Sequence, residues 1–334
     1  MSCYLKLMNT FVKLIFSMRW MIVVMLLSVN QGCGGLKLDL TGNEVEYANP
    51  SYNHVRDLPI NKYEKQEGSL ESPKEESLSA ADYERSGDLM LSKGNYYLAF
   101  MKYEKALALM PGNIVVEFKR ALTYLAVHKN KEALKGFRQI VKKQSDFVMA
   151  YEGIGIATFR LQKLSESATA FKKALTLDPS SWKSHNFLGA IFDARKKHER
   201  AVQAYKSALG IKPMAGFIYN NLGVSYTRAG AYNNAVQAFN RAIQLGYTPE
   251  KIYNNLGLAW VRMARYGQAM DNFRKGGTEA QAYNNLGCGY LSQGKSNEAI
   301  HCFEKAVRLD SSYYVVAGDN LTKARRAESP DSIP

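Results

Sequence analysis

The chain is 334 residues long and 46% hydrophobic, with 44 basic against 30 acidic side chains and a net charge of +14. That apolar share excludes a mostly disordered chain. The four cysteines (Cys3, Cys33, Cys288, Cys302) form no CxxC pair, which excludes a disulfide scaffold, a zinc ribbon and a thioredoxin-like dithiol. Residues 1–35 carry a net +3, residues 36–79 a net −4 and residues 80–334 a net +15, so the basic character belongs to the C-terminal body.

The first 33 residues read as an export signal. Lys6, Lys13 and Arg19 precede an apolar run from Trp20 to Val29. Its ten residues are about half of the ~20 that span a bilayer as a helix. A basic segment, a short apolar run and then small residues follow the order of a secretory signal peptide, beginning at Met1 or at Met18. The run stops at Asn30-Gln31-Gly32-Cys33, which resembles the lipobox of bacterial lipoproteins. Asn30 departs from that pattern, where an apolar residue is usual; a plain signal peptide is the alternative. The resemblance implies a lipidated Cys33 and a membrane anchor of at least two acyl chains. With Gly34 rather than Asp after the cysteine, it implies the outer membrane, facing the periplasm, in a Gram-negative cell. Residues 34–79, with Pro50, Pro59 and Pro73 among many polar residues and no periodicity, are expected to be a disordered polar tether.

From Ala80 the chain repeats every 34 residues: 80–113, 114–147, 148–181, 182–215, 216–249, a shortened 250–279, then 280–313. The eighth position is Gly87, Ala121, Gly155, Gly189, Gly223, Gly257 and Gly287. The twentieth is small throughout, from Ala99 to Ala299. The twenty-fourth is Tyr103, Phe137, Phe171, Tyr205, Phe239, Phe273 and Phe303. These residues resemble tetratricopeptide (TPR) repeats. The resemblance implies an all-α TPR superhelix, an α-solenoid of seven helix-turn-helix repeats with a C-terminal capping helix over 314–326. The array then covers 80–326, and 327–334 is a loose tail. Small residues at positions eight and twenty let two helices approach, and the aromatic at twenty-four fills the space beside them. Gly94, Gly230 and Gly294 at position fifteen suit a helix end and a tight turn. In repeat six, Gly276-Gly277 should stop the second helix early, since each glycine weakens a helix by about 1 kcal/mol relative to Ala. Ser86 in repeat one, and Glu117, Arg120 and His128 in repeat two, depart from their neighbours and read as a polar end cap.

The pattern offers no chemistry. The five histidines lack metal-ligand spacing, and no Gly-x-Ser-x-Gly elbow occurs. Gly289-Tyr-Leu-Ser-Gln-Gly294-Lys295-Ser296 fits a P-loop spacing, but a P-loop needs a strand before its glycines, and here a repeat helix is expected. Cys288 and Cys302 read as small buried hydrophobes. The expectation is a protein that is not an enzyme, with no catalytic residue, metal or cofactor.

Binding is expected in the groove formed by the first helices. The motif Tyr-Asn-Asn-Leu-Gly occurs three times and puts Asn220 and Asn221, Asn254 and Asn255, and Asn284 and Asn285 at positions five and six. An amide both donates and accepts, which suits an extended peptide backbone. A similar asparagine ladder lines the TPR superhelix of the protein O-GlcNAc transferases. Arg228 and Arg262 at position thirteen would add an acidic preference. The competing explanation is that asparagine at position six braces the neighbouring repeat. The chaperone-type carboxylate clamp, with Lys at five and Asn at nine, is not matched.

These features describe a membrane-anchored TPR adaptor. It would hold protein or extended peptide segments in its concave groove, and export argues against a nucleic-acid partner. The layout resembles TPR lipoproteins that assist pilus and secretin assembly, those of the Tad/Flp pilus and, more distantly, pilotins. The alternative is a regulatory or scaffolding subunit of an envelope enzyme acting on peptidoglycan or polysaccharide.

Overall fold

The structure, a computed structural model, describes residues 78–310 and 314–328. The signal-like segment 1–33 with Cys33, the tether as far as residue 77 and the tail from residue 329 lie outside the described residues. Among the described residues there are fifteen helices and no strand. They fall into two compact units, with the boundary between Tyr247 and Thr248.

The first unit holds five helix pairs: α1 (Ala80–Ser92) with α2 (Tyr96–Leu109), α3 (Ile114–Ala126) with α4 (Asn130–Lys143), α5 (Val148–Arg160) with α6 (Leu164–Leu177), α7 (Trp182–Ala194) with α8 (His198–Ile211), and α9 (Gly216–Arg228) with α10 (Tyr232–Gln244). The second unit holds α11 (Glu250–Arg262) with α12 (Tyr266–Lys275), α13 (Glu279–Leu291) with α14 (Ser296–Leu309), and α15 (Tyr314–Glu328). Helix α15 runs two residues past the expected end of the cap.

The contact that closes each pair is glycine against aromatic ring. A Cβ placed on Gly87, Gly155, Gly189 or Gly223 would lie 2.5–2.7 Å from the ring of Tyr103, Phe171, Tyr205 or Phe239. The second unit repeats this with Gly257 on Phe273 and Gly287 on Phe303. All seven aromatics at position twenty-four are at most 1% exposed, and burying such a side chain contributes about 1.5–3 kcal/mol. Repeat two solves the same problem differently. Ala121 stands where the others have glycine, Gly136 of α4 gives way to it, and the Phe137 ring lies over Gly153 of the next repeat.

Position fifteen takes the left-handed backbone in every repeat. Gly94, Gly230 and Gly294 have φ of 74°, 77° and 74°, while His128, Gln162, Lys196 and Ala264 adopt φ of 56–59° without glycine's freedom. His128 in repeat two is therefore a turn residue. Glu117 accepts from Lys143 Nζ at 2.6 Å, and Arg120 donates to Glu104 at 2.7 Å. The polar departures of repeat two, read as part of a polar end cap, go into interhelical ion pairs and a turn.

Helix α12 is the short one, ten residues against thirteen or fourteen in the other second helices. Gly276 caps it, and Thr278 opens α13 with a capping box to Gln281. Arg274 spans the turn, donating from Nε and a terminal nitrogen to Glu279 at 2.9 and 2.8 Å. This pair lowers the Glu279 carboxyl pKa.

Candidate functional site

The first helices are tied to one another by rungs, three of which run from position six of one helix to position five of the helix before it, while the fourth starts one residue later, at Asn320 of α15. In the first unit, Asn221 Nδ2 donates to Asn186 Oδ1 at 3.2 Å. Lys119 Nζ donates to Glu84 Oε1 at 2.6 Å in the same register. In the second unit, Asn285 Nδ2 donates to Asn254 Oδ1 at 3.3 Å, and Asn320 of α15 donates to Asn284 Oδ1 at 2.8 Å. A neutral rung of this kind contributes about 0.5–1.5 kcal/mol.

The predicted site residues therefore divide by depth. Asn220, Asn221, Asn255 and Asn284 are buried, between 1% and 6% exposed. Asn254, Asn285 and Arg228 are half-buried, and Arg262 is exposed. Arg228 lies close enough to Asp193 to favour its charged form. Asn254 also holds the end of α12, where its Nδ2 donates to the Gly276 carbonyl at 3.3 Å. A Cβ on Gly276 would lie 2.6 Å from Asn254 Oδ1 and 2.9 Å from the Glu250 carbonyl. Gly276 is thus required for close approach, and an alanine there would strike the atom that accepts from Asn285.

Two buried charge clusters also sit on this face, and the sequence pattern did not single them out. Asp88 accepts from Tyr103 Oη and from Lys119 Nζ, each at 2.7 Å. Burial pushes the Asp88 carboxyl above the usual carboxylate range, opposed by its bond to Lys119. The legible signal was an isolated Lys at position six in repeat two, following Glu at five and Asp at nine in repeat one. In the second cluster, Asp193 lies 2.9 Å from His198 Nδ1 and accepts from Ser225 Oγ. Burial raises its carboxyl as well, opposed by those hydrogen bonds. The carboxylate stands between the hydroxyl and the imidazole, so Ser225 donates to Asp193 and not to His198.

Cys288 and Cys302 are buried thiols in no disulfide, 3% and 5% exposed, and burial pushes the Cys302 thiol up to about 11. The P-loop-like stretch begins inside α13, and Gly294 takes the left-handed turn before α14. Among the described residues, no three His, Cys, Asp or Glu side chains converge as metal ligands.

Comparison with known proteins bears on the periodic part. A profile described as tetratricopeptide repeat matches residues 280–313, and one described as Psidin, N-terminal TPR repeats region, matches residues 122–272. The chain carries tetratricopeptide repeats. The TPR array is similar to the Hsp70-Hsp90 organizing protein of Triticum aestivum, 27% identical over 117 residues, covering 35% of this chain and 20% of that protein. It is also similar to superkiller complex protein 3 of Homo sapiens, 37% identical over 73 residues, covering 22% of this chain and 5% of that one. The chain thus spans a fifth or less of these two relatives. Among solved structures, a tetratricopeptide repeat protein from Parabacteroides merdae superposes with a TM-score of 0.53 at 16% identity, over 74% of this chain and 98% of that one. The shared TPR fold is what that likeness establishes.

Proposed function

We propose that this TPR protein is an interaction scaffold that holds extended peptide segments of partner proteins along its first helices. The observation that carries this reading is the amide rung of the second unit, where Asn254 and Asn285 are half-buried and Arg262 is exposed on the same helix as Asn254. Each rung engages one N–H and one oxygen, and an amide has two N–H donors and two acceptor lone pairs. The half-buried pair therefore keeps donors and acceptors for a peptide backbone, and Arg262 would favour an acidic one. The similarity to a protein named for organizing Hsp70 and Hsp90 supports protein partners in general. A chaperone-type clamp is a poorer fit, because position five carries Glu, Phe or Asn in every repeat and never Lys.

The test pairs binding with stability. Asn285→Ala and Arg262→Ala should each reduce capture of the partner by the full chain in cross-linked cells, with stability lowered by about 1.5 kcal/mol at most. Asn221→Ala, in a fully buried rung, should lower stability by about 1–3 kcal/mol and leave capture by the folded fraction intact. Undiminished capture by both Asn285→Ala and Arg262→Ala would sink the reading.

The place of work follows from the first 33 residues. The scaffold is anchored through lipidated Cys33 in a bacterial envelope membrane, where it assists assembly of a pilus or secretion machine. Support comes from the basic segment, the short apolar run and Gly32-Cys33 at its end, ahead of a polar stretch and a repeat array. Cys33→Ser should release the protein from membranes and abolish incorporation of labelled fatty acid. Unchanged labelling of that variant would remove the anchor.

A further inference from the structure

Helix α4 carries Lys131, Lys135, Arg138 and Lys142 at spacings of four, three and four residues, which places all four on one stripe. All four are exposed. Together with Lys163 from the turn between α5 and α6, they line an open groove of about 550 Å³ whose floor includes Leu134 and Leu161. Glu166 pairs with Arg138 at its edge. Among the described residues, no carboxylate lies within ion-pair reach of Lys131, Lys135, Lys142 or Lys163.

The repeat does not demand this stripe. In the other four repeats of the same unit the equivalent positions carry at most one cation each, Lys172 in repeat three and Lys206 in repeat four. Like charges at four-residue spacing weaken a helix, so repeat two keeps a locally unfavourable arrangement that packing does not require. An unneutralised cationic wall over an apolar floor is complementary to carboxylates flanking an apolar side chain.

The geometry points to a second interaction surface here: the α4 groove binds an acidic peptide segment of a partner protein, seating one apolar side chain on Leu134 and Leu161 between carboxylates that meet the lysines. This surface is built on a second helix and is separate from the amide row, so either site can fail alone. No aromatic side chain lines the groove to stack a nucleic-acid base. A concave wall with an apolar floor also suits a side chain better than a flat bilayer surface.

The experiment uses the full chain and a fluorescent synthetic peptide with glutamates on both sides of a central leucine, followed by anisotropy. Lys135→Glu with Lys142→Glu should weaken binding about tenfold or more. Lys172→Glu with Lys173→Glu, the same charge change on exposed sites of α6, should change it less than about twofold. Replacing the peptide's leucine with serine should weaken binding several-fold, and circular dichroism should show both variants folded. Equal weakening by the two variant pairs, indifference to the leucine, or no binding below about 1 mM would each overturn the proposal. So would tighter binding of duplex DNA or of phosphatidylglycerol vesicles that is lost in the Lys135→Glu/Lys142→Glu chain.

Discussion

Replacing Lys119 with methionine should destabilise the protein by about 3–5 kcal/mol, because it leaves two carboxylates in a buried site without their cation. Lys119 Nζ lies 2.6 Å from Glu84 and 2.7 Å from Asp88, and the Lys119 and Asp88 side chains are 9% and 10% exposed. The deficit should also depend on pH in a determined direction. Burial raises the Asp88 carboxyl above its unfolded value, so the folded state holds its proton more tightly than the unfolded chain. The stability linked to that proton is fully present below the ordinary aspartate range and is lost as pH rises through the raised value. Removing Lys119 takes away the group that opposes the shift, so the value rises further. The deficit of the Lys119→Met chain relative to the parent should therefore be largest at neutral pH and shrink as pH falls towards the ordinary aspartate range, about 4, as the Asp88 carboxyl takes up its proton. Urea melts of both chains at the two pH values measure this. An equal deficit at both would mean that the carboxylates are not the source of the cost.

Gly223→Leu should cost about 3 kcal/mol, the upper end of what overpacking usually does. The first atom of any side chain at 223 would already stand 2.7 Å from two ring carbons of Phe239, which is fully buried. A leucine adds three more carbons where the ring cannot retreat. Because each helix pair leans on its neighbours, the loss should spread beyond α9 and α10 and appear as a lower melting midpoint for the whole first unit. Gly223→Ala should cost less, and combining it with Phe239→Leu should recover part of that cost, the sign of a direct contact. A parent-like melt for Gly223→Leu would mean that α9 and α10 do not meet at this point. Repeat two supplies the internal comparison. It tolerates Ala121 at the equivalent position because Gly136 recedes and Phe137 moves over Gly153, a compensation that repeat five lacks.

Much of the fold was legible before any coordinate, and the reason is local. A glycine or alanine at position eight, a small residue at twenty and an aromatic at twenty-four answer a contact within one helix pair, so they recur with the period and can be counted. The early stop of α12 was legible for a similar reason, since two successive glycines act on the helix that contains them. The further role of Gly276, leaving room for Asn254 Oδ1, was not, because Asn254 is on another helix and the approach depends on how the two cross. The left-handed turns at His128, Gln162, Lys196 and Ala264 were hidden because nothing in those side chains announces a positive φ.

The candidate site divides in the same way. Sequence alone determined that asparagines recur at positions five and six. The tertiary structure alone decided that Asn221 reaches Asn186 and Asn285 reaches Asn254, leaving four of the six predicted amides buried. It also decided that Lys119 falls between Glu84 and Asp88, and that the α4 stripe faces an apolar floor completed by Leu161 of the next repeat. These are contacts between repeats. A 34-residue period records that each helix pair recurs, but the rotation from one pair to the next sets which side chains meet, and that rotation comes from packing summed over the whole interface.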